Sequence, residues 1–558
     1  MKKTWIVGAL LLVVFLGLRL PALHMPYHQD EWKEVWSVSQ GAASAGSFFA
    51  HPPLTALSFR LDAALFGLKN MRLLPILFSL ISGLLLFLVV RRKSDIQTAG
   101  IAVALYVVSF YSIFASLMID TDGAILPTVF LLVIYAYERT KSATKSQQKI
   151  IWWILVVLAL LVGLLVKLSF ILVVAVIIAD VFIDNRKHIT KKWLIYAASA
   201  CAAFIVAILV IFTGLHFVYP AFSLGGMIEH ARTYMHLGGR NYSQVLFEGI
   251  KSILYLSPLL LVPLVFVTKK IFSATRLYWL YLIFGFVFYF ILFDFSRGAL
   301  DKYMMFTIVP LCVISAFIIR QNFLKQEALG REYGLLAGIV LSVVLYFLQF
   351  VHNVIPSLYP KTEWLSRVIH LKWNMLMPFN GGSGPMGFYV SFLFIALVFL
   401  ISVICAIVGL MKPAWRSSLL IIVICLGITY SLVFAEEYAL GKVNGKTADV
   451  LQPLVSYVST DSSGDQYITY NDIGAFELMT MSKYGGRFYA TPESQDAHLQ
   501  RFAAFSGKYL IVDMPRIDPS SDYAAFFRTC TVLASSTSRN IEGEIYSCKA
   551  PSAQGKLH

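Results

Sequence analysis

Apolar runs of roughly 17 to 25 residues, separated by short polar stretches, recur along most of the chain. Each can cross a hydrocarbon core of about 30 Å as a helix that satisfies its own backbone groups. The pattern predicts thirteen spans, over 5–24, 71–90, 97–118, 123–137, 150–166, 168–184, 193–213, 249–268, 274–293, 303–319, 334–351, 387–410 and 417–434. The fifth and sixth form one long apolar stretch, divided at Lys167 because a lysine is costly at mid-membrane and better placed at a hairpin tip.

After residue 435 the pattern changes: apolar runs shrink to strand length and alternate with amphipathic helical segments. A helix over TADVLQPLVSYVS is followed by strand QYITYND, helix AFELMTMSKYG, strand RFYAT, helix SQDAHLQRFAAF, strand KYLIVDM, helix SDYAAFFRT and two final strands. The expectation is an α-helical polytopic membrane module over 1–435 and an α/β domain over 436–558. No internal repeat is evident, which disfavours a transporter built from two related halves.

Composition agrees with a bilayer as solvent: of 558 residues, 58% are hydrophobic and 14% charged, with a mean hydropathy of +0.71. The net charge of +15 raises the question of nucleic acid. The bases, however, sit in alternate short loops: Lys2/Lys3, Arg91/Arg92/Lys93, Arg139/Lys141, Arg186/Lys187, Lys269/Lys270, Arg320/Arg331 and Lys412/Arg416. That is the positive-inside pattern, so the basicity is topological and no nucleic-acid partner is expected. It places the N-terminus in the cytoplasm and the α/β domain outside, in a multi-pass plasma-membrane protein of prokaryotic type. The first span resembles a signal peptide without a cleavage site and reads as a retained anchor. Cys530 and Cys548 are the two cysteines of the α/β domain, and an oxidising compartment favours a disulfide between them.

Three predicted outside segments exceed simple connectors: 25–70, 214–248 and 352–386. The first, LPALHMPYHQDEWKEVWSV, offers Asp30 and Glu31 as catalytic acid/base candidates, since one of two adjacent carboxylates has a raised pKa. The alternative is a helix N-terminus, where Asp caps and Glu suits the first turn. His51, held by Pro52 and Pro53, is a substrate-binding candidate ahead of the amphipathic TALSFRLDAALFG. His24 and His28 match no zinc spacing; no metal ligands are assigned, and a divalent cation among the acids is left open.

Between the third and fourth spans the whole turn is IDTDGA, whose Asp120 and Asp122 need partners, either a basic substrate-binding group or a turn plus helix cap. Arg72, Lys167, Arg297 and Lys302 lie near outside ends of spans, against the positive-inside bias; a bound phosphate explains them economically, snorkelling being the alternative. Arg232 and Arg240 have weaker claims.

In order along the chain stand the acid pair, HPPL, Arg72, the acidic turn, and KYMMFTIVP with Lys302 and Tyr303. This ordered set resembles the GT-C glycosyltransferases, in the group of protein O-mannosyltransferases and lipid A aminoarabinose transferases. The resemblance covers residues 10–320. It implies inverting transfer of a sugar from a polyprenyl-phosphate donor to a lipid, glycan or protein acceptor on the outer membrane face. It also implies Asp30 as the acceptor-activating group, and Arg72, Lys167 and Lys302 around the donor phosphate; Arg297 joins that set on its charge and position, and Tyr303 as the neighbour of Lys302. No β-trefoil insert is present, which bears against protein as acceptor, and Lys302-Tyr303 stands where many relatives have Arg-Tyr. The competing class, a transporter or flippase of a lipid-linked or polyanionic solute, predicts charges deep in the spans lining a two-sided path.

Overall fold

The computed structural model describes residues 2–39, 52–218, 223–235, 242–294, 302–323, 328–357, 362–379, 386–470, 478, 481–488, 501–502, 504–514 and 516–548. Packing divides the chain into two compact units, Met1–Phe15 with Glu34–Gln326, and Leu16–Lys33 with Glu327–His558. Thus 327–435, expected with the bundle, and the short segment 16–33 pack with the α/β domain.

Helices α1 (Lys2–Gly17) and α2 (Gln29–Ser39) are divided between the units, and the rest of the first unit is helical: α3 (Pro53–Phe66), α4 (Leu73–Lys93), α5 (Ile96–Val108), α6 (Phe110–Leu117), α7 (Leu126–Ser142), α8 (Ser146–Val166), α9 (Ile171–Asn185), α10 (Lys191–Val218), α11 (Leu224–Thr233), α12 (Tyr242–Tyr255), α13 (Pro258–Leu261), α14 (Lys269–Ala274), α15 (Arg276–Val287) and α16 (Ile308–Phe323). Helix α4 packs on α5 and α7, α7 on α8, α5 on α16, and α9 on α15. Among the described residues of the whole chain, ten helices are long and apolar enough to cross a membrane, and two bent pairs raise this to twelve. The expected ninth span is the shorter apolar helix Arg276–Leu292. The bends have local causes: α5 and α6 meet at 64° around Ser109, and Gly249–Tyr255 meets Pro258–Phe266 at 95°, where Pro258 cannot donate and disfavours helix in the residue before it. Apolar side chains of the spans face outward in number, among them Ile205, Val206 and Val210 of α10. In water this surface would be prohibitive and in lipid it is required, so the chain is a multi-pass membrane protein.

The second unit holds α17 (Ala328–Tyr346), α18 (Thr362–Ile369), the hairpin β1 (Leu376–Phe379) and β2 (Phe388–Ser391), α19 (Phe392–Met411), α20 (Arg416–Ala439) and α21 (Thr447–Thr460). It continues with β3 (Tyr467–Tyr470), β4 (Tyr484–Phe488), β5 (Lys508–Val512), α22 (Asp522–Phe527), β6 (Thr531–Ser538) and β7 (Ile541–Ser547). The sheet runs β4-β3-β5-β7-β6, with β3 parallel to β4 and β5, and β7 antiparallel to β5 and β6. Strands β3 and β5 are buried along their length, as the centre of a sheet covered on both faces must be, whereas β6 at the edge is largely exposed. Phe488, Phe502, Tyr509, Tyr523 and Phe527 form the core on one face. Cys530 and Cys548 are joined by a disulfide across the 18-residue separation that contains the β6–β7 hairpin.

Helix α20 ends at Gly441, whose φ of 56° suits glycine, while the Glu437 carboxylate accepts the N–H groups of Val443 and Asn444. Thr447 Oγ1 donates to Gly387 O, and Arg516 Nη1 donates to Ile355 O at 2.7 Å, so the sheet domain is stitched to the hairpin and helices of its own unit.

Candidate functional site

The charged residues of the first unit collect at two opposite ends of the bundle. At one end, where α7 and α9 finish and α15 begins, Asp180 is fully buried and takes hydrogen bonds from Tyr137, Lys141 and Arg276, with Asp184 completing the network. Lys93–Glu138 and Arg320–Asp95 add to that end. Every buried charge there has a partner, the condition under which such groups are tolerated.

The other end is built around the turn between α6 and α7. Asp120 caps a single π-helical turn, Thr121–Ile125, its carboxylate accepting the N–H of Asp122 at 3.2 Å. Inserted π turns displace side chains from the regular helical rows and are frequent at functional sites. Gly123 makes the close packing of this turn possible, because an added Cβ would run into the Ala115 carbonyl. The two carboxylates thereby diverge to two lysines. Asp120 Oδ2 accepts from Lys302 Nζ at 2.7 Å, and Asp122 Oδ2 pairs with Lys167 Nζ. All four side chains are between 5% and 12% exposed, so these are buried pairs.

The lysines approach one another over a shared aromatic ring: Lys167 Nζ lies 5.1 Å and Lys302 Nζ 5.3 Å from the centre of Tyr303. A ring face is a weak substitute for a counter-ion, and it lets two like charges stand close together. Burial pushes Asp120 up, but the ammonium groups of Lys302 and Lys167 outweigh it and hold the carboxyl well below the usual carboxylate range. Burial pulls Lys167 down, and Asp122 and Asp120 more than restore it, so it stays ammonium.

Each residue comes from a different break in the helices. Lys167 is the C-cap of α8 in extended conformation, followed by the 3-10 turn Leu168–Phe170. Lys302 opens the turn Tyr303–Thr307 that leads into α16. Arg72, 1% exposed, precedes α4, and its Nε donates to Leu117 O at 2.9 Å, three residues before Asp120. A small cleft beside the cluster is lined by Asp122, Ser169, Phe170, Tyr281, Tyr289 and Tyr303 among others. Tyr281, Tyr289 and Ser169 were not singled out from sequence; the spacing of eight between the tyrosines, near two helical turns, was the available signal.

In the second unit, His28 and Glu31 form a reciprocal cap at the start of α2: Glu31 N–H donates to His28 O at 2.8 Å, and Glu31 Oε2 accepts the His28 N–H at 3.0 Å. Glu31 is buried, and Trp32 meets Tyr484 of β4 edge-on at 6.4 Å. The backbone of Asp30 lies in the first turn of α2, and its side chain is outside the described residues, as are His51, Arg297 and Arg240. Among the described residues no group of three or more His, Cys, Asp and Glu is placed to hold a metal.

Residues 50–212 match the family model described as dolichyl-phosphate-mannose-protein mannosyltransferase. Among curated proteins none matches by sequence. Among solved structures, ArnT from Cupriavidus metallidurans bound to undecaprenyl phosphate is similar at 14% identity, covering 98% of each chain with a TM-score of 0.57. The apo state of that protein gives 14%, the same coverage and 0.55. The likeness runs through the bundle and the C-terminal sheet domain together, and the fold is that of the GT-C membrane glycosyltransferases.

Proposed function

We propose that this chain, a GT-C membrane glycosyltransferase by fold, moves a sugar from a polyprenyl-phosphate donor to an acceptor on the outer face of the membrane, inverting the anomeric carbon. The observation that carries the reading is the pair of buried ammonium groups, Lys167 and Lys302, held over Tyr303 at the end of the bundle opposite the Asp180 network. Each lysine gives a hydrogen bond to a carboxylate, Lys167 to Asp122 and Lys302 to Asp120, and an ammonium, with three N–H groups, suits a phosphate's several oxygens. Asp120 and Asp122 keep the cations in place before the substrate arrives, so no reorganisation is needed when phosphate binds. Bound undecaprenyl phosphate in the structurally similar ArnT is in keeping with such a donor.

In the reaction the acceptor oxygen attacks the anomeric carbon, the bond from that carbon to the phosphate oxygen breaks, and polyprenyl phosphate leaves with the electron pair. Lys167, Lys302 and Arg72 stabilise the charge that collects on the departing phosphate. The acceptor proton passes to a carboxylate, a role assigned to Asp30 from its place in the chain order. Arg297 and His51 are assigned to phosphate and substrate on the same ground. Inversion follows from a single displacement.

Binding of undecaprenyl phosphate to the purified protein in nanodiscs tests the donor reading. Wild type is expected to bind, and Lys302→Met to lose at least tenfold in affinity, the scale of one charge-assisted hydrogen bond in a dry site. Equal affinity in both overturns it.

A further inference from the structure

Helix α18 lies between two membrane spans, Gly330–Phe350, which holds most of α17, and Phe392–Met411, which is α19. The strip that follows α18 is bonded to the ends of both. Val354, four residues past the first span, donates its N–H to Asn374 O and accepts the N–H of Leu376, each at 2.9 Å. Phe392, the first residue of the second span, donates its N–H to Met375 O at 2.8 Å, and its ring meets that of Trp373 edge-on at 6.4 Å. Leu371, two residues before Trp373, therefore stands close to the level at which both spans leave the hydrocarbon. The lipid-facing surface of the first span runs on to this level through Phe347, Phe350, Val351 and Val354, all exposed.

Helix α18 extends that surface. Leu365, Ile369 and Leu371 are 59%, 65% and 72% exposed. Leu365 and Ile369, four apart, share one stripe of the helix, and the Glu363–Arg367 pair, at 3.2 Å, lies about half a turn away. Trp364 is buried with its Nε1 donating to Ser357 O, and Trp373 Nε1 donates to Val368 O at 3.2 Å, so two anchored indoles hold the stripe outward. The helix closes with two bonds, Leu371 N–H to Val368 O at 3.3 Å and Lys372 N–H to Arg367 O at 2.9 Å. Such a closure requires a left-handed residue and ordinarily takes glycine, whereas here it is a leucine with φ of 55°. In water Leu371 would be unfavourable twice, in its backbone and in its exposed side chain. Backbone strain of this kind persists where a function requires it.

We propose that α18 is an interfacial helix whose partner is the phospholipid leaflet at which the two spans end, with Leu365, Ile369 and Leu371 immersed where headgroups meet acyl chains. Glycine at 371 would relax the backbone and leave nothing to immerse; the leucine side chain, once in lipid, offsets the strain. The Glu363–Arg367 pair, on the other side of the helix, stays in water. Lys372, exposed beside Leu371, lays its methylenes along the apolar layer and extends its ammonium to lipid phosphate.

The test uses the full chain in phosphatidylcholine nanodiscs, in a background of Cys201→Ser and Cys425→Ser that leaves the buried thiols and the disulfide in place. Single nitroxide labels are introduced through Leu365→Cys, Ile369→Cys and Leu371→Cys, and through Gln452→Cys on the exposed side of α21 as the reference in water. Their relaxation by oxygen, which partitions into lipid, is compared with relaxation by a water-soluble nickel chelate. The three labels on and beside α18 are expected about 5 to 10 Å into the boundary of headgroups and acyl chains, the depth of an interfacial helix's apolar face. Labels as open to nickel as the reference overturn the proposal. Labels shielded from both reagents overturn it too, and mean that protein, a second copy or another chain, covers the face. Should a label disturb the loop, a phospholipid carrying a diazirine near the glycerol end of one acyl chain decides with the wild type: transfer to residues 368–372 is expected, and its absence while the ends of the spans are marked overturns the proposal.

Discussion

Lys167→Met isolates what the buried pairs contribute. The lysine is 10% exposed and its partner Asp122 5%, so losing the ammonium leaves a carboxylate that water cannot reach. Removing one member of a buried pair costs about 3 to 5 kcal/mol, most of it the penalty of the stranded charge. The upper part of that range is tempered here, because Asp122 also senses Lys302. About 3 kcal/mol is therefore expected. Replacing both, as Asp122→Asn with Lys167→Met, removes the stranded charge and is expected to recover about 2 kcal/mol of it, a coupling within the range for residues in direct contact. Phosphate binding should not recover, since the cation is still missing. The assay is thermal unfolding of wild type, both single variants and the double variant in the same nanodiscs, read beside undecaprenyl phosphate binding. A single variant as stable as wild type, or a double variant no better than Lys167→Met, refutes the argument that the pair is dry and coupled. A double variant that regains full phosphate affinity refutes the role given to Lys167.

Gly123→Ala should destabilise by about 1 to 3 kcal/mol and weaken phosphate binding together, because the new methyl meets the Ala115 carbonyl and shifts the turn bearing both acids; thermal unfolding and binding check it. Reduction of Cys530–Cys548 should cost the sheet domain about 3 kcal/mol, the loop-closure value for an 18-residue separation, read as the change in its unfolding midpoint with and without reductant. Asp461 is held well below the usual carboxylate range by hydrogen bonds from Lys508 and Tyr467. A depressed carboxyl stabilises above its unfolded pKa and loses that contribution as pH falls toward its folded one, so stability should drop below about pH 4. Lys508→Met should shrink that dependence in an acid-unfolding series.

The division between spans and sheet domain was legible because lipid demands long apolar runs and a sheet demands short ones. Lys167 marked the break between α8 and α9 on charge cost alone, and the structure places an extended residue and a 3-10 turn there. Partnerships were not legible. Asp122 finds Lys167 45 positions away and Asp120 finds Lys302 182 positions away, distances over which no local periodicity acts. The sequence said only that two acids in a six-residue turn need partners.

For Glu31 the two readings were left open, and the structure shows the carboxylate engaged in a cap. Asp62, fully buried on α3, was hidden for the opposite reason: within TALSFRLDAALFG an acid reads as part of a solvated face, and only the folded chain shows that it is covered. The regrouping of 16–33 and 327–435 with the sheet domain was equally invisible, since hydropathy reports each span's solvent and not its neighbours.

The central claim is sugar transfer from a polyprenyl-phosphate donor, and release of labelled sugar from polyprenyl-phosphate sugars tests it most directly. The purified protein in lipid is given a panel of such donors with an extract of envelope lipids and glycans as acceptor, beside Asp30→Asn and Lys302→Met. Donor turnover by wild type that falls by a hundredfold or more in both variants, with folding intact, is the predicted result. No turnover by the folded wild type with any donor, or turnover undiminished in both variants, contradicts the account and returns the chain to the transport reading.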